Sequence, residues 1–220
     1  MDPGTASGSA SAAPNTAGKV IRWARLYNLL FGHRTARHRR MLDLAAIAPG
    51  ERVLDVGCGP GTLALAAKEW TGPAGEVYGI DAGAEMIQVA RQKAAKAGSD
   101  VRFQTGLIEE IPFPDAYFDV VLSTFMLHHL PDDLKRRGFR EIARVLKPGG
   151  RLLAVDFSPD ASFGVFSLLI RVITHGLPKS YIDDLVAMMK DAGFSAEVVR
   201  AGEEPYAFIR AVSTVPAAAR

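Results

Sequence analysis

The chain has 220 residues, 48% hydrophobic and 23% charged, with a formal net charge of +2. That length suits one soluble domain with a sizeable core, and so weak a charge points neither to a nucleic-acid partner nor to an acidic substrate. The single cysteine, Cys58, excludes an internal disulfide and a cysteine-rich metal site and fits a reducing, cytoplasmic setting; no stretch reaches the ~20 apolar residues of a bilayer span, and no apolar secretory core is read at the N-terminus.

Residues 1–18 are mostly Ala, Ser, Gly, Thr and Pro, and are predicted to be a disordered arm. Residues 19–48 are predicted to form two lid helices, Val20–Phe31 and Thr35–Ile47, the second stopped by Pro49-Gly50. Strand and helix signals then alternate. A buried strand over Arg52–Val56 precedes a helix over Thr62–Trp70, and a strand over Glu76–Ile80 precedes a helix over Ala84–Ala97. Strands follow at Val101–Thr105 and Phe118–Ser123, then a helix from Pro131 to Leu146. Asp132 and Asp133 suit the positive start of that helix, and Lys147 suits its end. A fifth strand spans Arg151–Asp156, an apolar insertion runs over 157–178, and a helix covers Asp183–Ala192. Strands at Phe194–Val199 and Tyr206–Val212 close the domain 49–213, and 214–220 is a frayed tail. Helical crossovers imply a mostly parallel, seven-stranded sheet in a three-layer α/β sandwich. The link Arg200–Pro205 is too short for a crossover helix, so the last strand is antiparallel.

The strongest signal is Val53-Leu-Asp-Val-Gly-Cys-Gly-Pro-Gly61, an apolar strand running into a glycine-rich turn ahead of a helix. Gly57, Gly59 and Gly61 let a ligand approach the backbone, at the strand ends where open parallel sheets bind ligands. Twenty residues on, Asp81 ends the second strand, where a carboxylate accepts both hydroxyls of a ribose. Turn and acid together indicate a nucleoside. The dinucleotide fingerprint G-x-G-x-x-G is not matched, because the spacing here is G-x-G-x-G. Asp55 adds a carboxylate inside the apolar strand, which repels pyrophosphate and attracts a ligand carrying an ammonium and a sulfonium. S-adenosylmethionine satisfies that charge pattern.

The segments VLDVGCGPG, the acid of GID, PFPDAYFDVVLS, HHL and LKPGG resemble, in that order, the class I S-adenosylmethionine-dependent methyltransferases. LVAMMKDAGF, Leu185–Phe194, is similar to the ubiquinone/menaquinone biosynthesis methyltransferases and their small-molecule relatives. The resemblance covers roughly Tyr27 to Val212 and implies a Rossmann-like fold. It also implies that Gly57, Gly59 and Gly61 pass under the methionine part of the cofactor, with Asp55 at the rim of the turn. By the same likeness Asp81 holds the ribose, Ala82 and Met86 lie near the adenine, Leu107 and Ile108 flank its other face, and Thr124 faces the methionine end. Many relatives place an acid or amide where Leu107 stands, so the adenine amino group needs another partner here. The insertion 157–178 is also shorter than in the quinone enzymes.

Methyl transfer from a sulfonium needs alignment above all, and a base only as the acceptor demands. Cys58 is read as a packing residue. His128 and His129, after the fourth strand, and Asp156, ending the fifth, are the candidate catalytic groups; no metal site is expected. Tyr27, Phe31, His129, Phe163 and Phe166 are expected to line a pocket for a small lipophilic or aromatic acceptor: quinone-like, phenolic or another secondary metabolite. The apolar insertion also suits peripheral contact with a membrane surface. The basic run Arg34–Arg40 is read as the solvated face of a helix, so no nucleic-acid partner is expected, and monomer and homodimer both stay open. The competing readings are an enzyme on RNA or protein and a cofactor-binding protein without turnover.

Overall fold

The computed structural model describes residues 35–158, 177–199 and 206–215. The arm 1–18, the first lid helix with Tyr27 and Phe31, most of the insertion with Phe163 and Phe166, the link 200–205 and residues 216–220 lie outside the described residues.

The described chain begins with α1 (Thr35–Ala45), β1 (Arg52–Val56), α2 (Thr62–Thr71), β2 (Glu76–Asp81), α3 (Ala84–Ala97), β3 (Arg102–Thr105) and β4 (Phe118–Thr124). A single 3-10 turn (Leu127–His129) follows, then α4 (Asp132–Val145), β5 (Leu146–Phe157), α5 (Tyr181–Asp191), β6 (Phe194–Val199) and β7 (Tyr206–Ser213). The strands form one sheet in the order β3-β2-β1-β4-β5-β7-β6. β1 to β5 pair in parallel, and β7 runs antiparallel between β5 and β6. The crossover through α5 places β6 one strand away from β5, and β7 fills the gap by folding back, as a link too short for a helix requires.

Both faces of the sheet are covered, so the central strands are apolar on both sides. Leu54, Val121, Leu152 and Ala154 pack on one face with Phe139 and Ile142 of α4 and Leu185 and Met189 of α5. Val53, Val120, Leu122, Leu153 and Val155 pack on the other with Met41 and Leu42 of α1, Leu63 and Ala64 of α2, and Ile87 and Ala90 of α3. Each Val, Leu, Ile, Phe or Met side chain among them, buried in full, contributes roughly 1.5–3 kcal/mol.

Three boundaries differ by two residues or more from the sequence expectation, one of them the start of α5, at Tyr181 and not Asp183. β5 starts at Leu146, before Pro148-Gly149-Gly150, because the ladder with β4 resumes across a register shift between Phe118 and Val120. Lys147 therefore does not cap α4; its Nζ donates to Asp119 Oδ1 at 2.6 Å across the two strands, and Arg144 is the basic residue of the last helical turn. α1 ends at Ala45, ahead of Pro49-Gly50. There Arg151 of β5 reaches back, its Nε donating to Ala45 O and its Nη2 to Ala46 O at 2.9 Å and to Glu51 Oε2 at 2.7 Å.

A guanidinium from the sheet thus satisfies the open carbonyl end of α1 and holds that helix on β5. Arg151→Met keeps the apolar stem and removes these bonds. It is expected to cost ~1–3 kcal/mol, read as a lower urea midpoint at an unchanged m value.

Candidate active site

The strand order reverses between β1 and β4, where Val56 lies opposite Ser123. A sheet of this kind opens a crevice at that point, beyond the carboxyl ends of its strands. The turn after β1 enters it. Gly57, Gly59 and Gly61 all have positive φ, at 72°, 51° and 74°. Their surroundings separate their roles. A Cβ on Gly57 would lie 2.5 Å from Met126 Cγ, and one on Gly61 would lie 2.6 Å from the Phe103 ring, so both are glycine to allow packing. A Cβ on Gly59 would meet nothing within 4 Å. Gly59 is the part of the turn that presents bare backbone to the crevice.

Two carboxylates flank this turn. Asp81 accepts the Gly59 N–H on Oδ2 and the Gly83 N–H on Oδ1, each at 2.8 Å, and so ties the glycine turn to the start of α3. Each oxygen keeps a lone pair, as two ribose hydroxyls require. Burial raises the Asp81 pKa, opposed by those two N–H groups. Asp55, on the α1–α2–α3 face of β1, is 1% exposed, and neither oxygen has a hydrogen-bond partner. Burial, with Asp81 nearby, pushes its carboxyl up to about 7; the Ala64 N–H offsets part of this from outside bonding geometry. A buried carboxylate with no partner is costly, and a bound cation is what removes the cost. Cys58 is buried, and burial followed by these two acids holds its thiol well above the ordinary range, so it packs and does not react.

The remaining expected cofactor contacts are distributed unevenly. Ala82 is exposed and Met86 buried, on either side of the first turn of α3. Leu107 is half-buried, in an isolated bridge with Glu110. Ile108 is buried in the core, its side chain filling the space that a Cβ on Gly138 of α4 would take. Thr124 ends β4, opposite Val155.

The three candidate catalytic residues come together. Asp156 is fully buried and accepts four contacts: His128 Nδ1 at 2.7 Å and the Phe157 N–H at 2.8 Å on Oδ1, and the His128 N–H and the Tyr181 hydroxyl, each at 3.0 Å, on Oδ2. Burial and the Asp156 charge raise the Tyr181 pKa, so its hydroxyl stays a donor. The His128 side chain is 2% exposed and its Nε2 has no hydrogen-bond partner. The His129 ring lies 3.9 Å from that of His128, and the residue is exposed.

Several residues of the site carried no signal in the sequence. Phe125 meets the ring of Phe157 at a tilt, at 5.2 Å, and that of Tyr206 edge-on, at 5.4 Å, and has a φ of +53° directly after β4. Arg37 sets its guanidinium over both Phe125 and Tyr206, at 5.9 and 5.3 Å, and Arg40 lies over Phe208 at 5.5 Å. The run Arg34–Arg40 is therefore not simply a solvated face: within α1, Arg37 and Arg40 are cation–π partners of the sheet. Tyr181, which fixes Asp156, is 25 residues away in sequence and found only through the fold.

Residues 53–150 match the family described as a methyltransferase domain. The chain is 41% identical over 144 residues to the demethylmenaquinone methyltransferase of Thermus thermophilus, covering 66% of this chain and 64% of that protein. It is 38% identical over 172 residues to the arsenite methyltransferase of Halobacterium salinarum, covering 75% of this chain and 42% of that one. The chain thus spans less than two thirds of the length of these curated relatives. The crystal structure of a SAM-dependent methyltransferase from Aquifex aeolicus superposes with a TM-score of 0.70 at 25% identity, covering 87% of this chain and 98% of that one. The chain is thus similar, over the residues matched, to a methyltransferase domain and to S-adenosylmethionine-dependent methyltransferases. The residues present fit S-adenosylmethionine: a bare turn at Gly59, an Asp81 carboxylate with a lone pair left on each oxygen, and an uncompensated buried acid in Asp55.

A cationic ligand favours the ionised form of Asp55. Affinity for S-adenosylmethionine is therefore expected to rise as pH increases through about 7, with up to one proton released on binding near neutrality, as calorimetry in buffers of different ionisation enthalpy measures. The ligand-free protein shows the opposite trend. The Asp55 pKa is raised from 3.8 to about 7 on folding, so the stabilising contribution present at low pH is lost as pH rises through that window. Asp55→Asn is expected to raise the ligand-free melting temperature above pH 7 while weakening cofactor binding at least about tenfold. Gly59→Ala strains a positive φ by ~1–2 kcal/mol without a clash and is expected to lower cofactor affinity more than stability; Gly61→Ala, against the Phe103 ring, reverses that order in paired calorimetry and denaturation.

Proposed function

We propose that this chain transfers the methyl group of S-adenosylmethionine to a small, apolar or aromatic acceptor, of the quinone-precursor or phenol class. The observation that carries the reading is the buried, unpartnered Asp55 carboxylate beside the bare Gly59 turn, a site built for a cationic nucleoside. The cofactor supplies an activated methyl group; the chain has to hold it, exclude water and align a nucleophile. Asp55 and Asp81 hold the cofactor's positive end and ribose. Gly57, Gly59, Gly61 and Thr124 shape its path, and Ala82, Met86, Leu107 and Ile108 border the adenine.

The acceptor class is supported by the same end of the sheet. Phe125, Phe157 and Tyr206 form an aromatic floor next to His128 and His129. Such a floor binds flat apolar rings and gives phosphate little to hold. Arg37 and Arg40 are engaged over rings of the sheet, which weakens the reading as an RNA enzyme. Tyr27, Phe31, Phe163 and Phe166, in the N-terminal lid and the insertion, complete the acceptor pocket in this proposal. Among the described residues no helix is long and apolar enough to cross a membrane. The protein is proposed to work in the cytoplasm, on an acceptor reached from solution or from a membrane surface.

Release of S-adenosylhomocysteine tests this directly, with prenylated hydroquinones, simple phenols, arsenite and transfer RNA as acceptors. Turnover is expected with the aromatic acceptors and not with RNA. Turnover confined to RNA or arsenite, or cofactor binding with no turnover on any of the four, overturns the proposal.

A further inference from the structure

We propose that His128 is the base that takes the acceptor's proton, through Nε2, and that Asp156 and Tyr181 are the positioning residues that keep Nε2 in its proton-accepting form. The inference rests on the methyl-transfer reading above and names the acceptor more narrowly: its nucleophile carries a proton that has to leave, as in a phenol, an enol or a hydroquinone.

The geometry fixes the tautomer. Each Asp156 oxygen already accepts a backbone N–H, from Phe157 on Oδ1 and from His128 on Oδ2. The Tyr181 hydroxyl fills a second position on Oδ2 at 3.0 Å. A carboxylate held by three donors only accepts, so the contact at 2.7 Å has His128 Nδ1–H donating to Oδ1. The contact therefore places a proton on Nδ1, and in the neutral ring the lone pair is on Nε2. Nε2 is buried and without a hydrogen-bond partner. A buried ring nitrogen left unsatisfied costs stability, and an incoming hydroxyl repays it. His128 follows β4 closely in the chain. Its 3-10 turn begins three residues after β4 ends, beside the switch point and the ring of Phe157 at 5.1 Å.

The step balances without a further reactant. The acceptor's oxygen or ring carbon forms a bond to the methyl carbon, and the methyl–sulfur bond breaks with its electron pair passing to sulfur. The hydroxyl proton moves to Nε2, and the resulting imidazolium is held against the Asp156 carboxylate until solvent removes the proton. The charged and titratable groups around the ring are Asp156 on β5, Tyr181 on α5 with Lys135 of α4 over its ring at 5.0 Å, Asp132 paired with that lysine, and His129 on the same turn.

Nitrogen-15 spectra of the ligand-free protein, labelled at histidine, read the tautomer without any turnover. A protonated Nδ1 and bare Nε2 at His128 are expected, with the two forms mixing in Asp156→Asn and Tyr181→Phe shifting the balance less. At saturating cofactor, His128→Gln is expected to lower kcat ~100-fold or more on a phenol un-ionised at the assay pH and less than about threefold on a nitrophenol already ionised there, with cofactor affinity unchanged. A proton on Nε2 in the wild-type spectrum, or equal losses on both phenols, overturns the proposal. Failure of the wild-type protein to release S-adenosylhomocysteine counts against methyl transfer itself, and the tautomer spectrum still decides the assignment of Nε2.

Discussion

Asp55 is the feature on which the rest of the site depends. A carboxylate one residue from the end of a doubly covered strand, with no donor on either oxygen, stands against the logic of a hydrophobic core. Apolar packing elsewhere in the sheet offsets it: Val53, Leu54 and Val56 around it are almost fully buried. The ligand-free protein carries the cost as a raised pKa, and a cationic ligand recovers it as affinity. Stability is thereby traded against binding at one side chain, and the neighbouring turn has to stay free of Cβ atoms for the ligand to reach it.

Asp156 is the mirror case. It too lies near the end of a buried parallel strand, fully inaccessible, but every direction around it is filled by a donor. The same residue type at equivalent depth thus performs two tasks, set by environment alone. The unpaired acid waits for a positive charge, and the saturated acid orients an imidazole. The two lie on opposite faces of the sheet, Asp55 toward α2 and Asp156 toward α5, with β4 between β1 and β5. In the proposed reading, that separation puts the cofactor on one side of the crevice and the proton on the other.

The parts of this arrangement legible in the sequence are those written in local pattern. Strand and helix alternation reproduced the sheet, and the short link before Tyr206 implied the reversed strand that the structure places between β5 and β6. Gly59, Asp55 and Asp81 were visible because a glycine turn and an acid at a strand end are contiguous signals. What did not show depended on residues far apart in sequence. Arg37 reads as one of five basic residues in Arg34–Arg40, and only the approach of α1 to β7 turns it into a partner for Phe125 and Tyr206. Tyr181 opens an ordinary amphipathic helix until the fold brings its hydroxyl to Asp156. Pro148-Gly149-Gly150 looks like a stop, yet the β4–β5 ladder continues around it as an irregularity.

Phe125 connects these observations. A non-glycine residue at a φ of +53° costs ~1–2 kcal/mol, and a bulky aromatic gains nothing locally from that conformation. The structure around it compensates: its N–H donates to Val155 O at 2.8 Å, its ring meets Phe157 and Tyr206, and Arg37 lies over it. The bend it makes ends β4 abruptly and sends the chain into the turn that carries His128. Had β4 continued straight, the histidine would have followed the strand and not turned back to Asp156. Strain at one residue is therefore what turns the end of a strand toward the position of the proposed base, and the aromatic contacts that hold the strain are the same surface on which an apolar acceptor is proposed to rest.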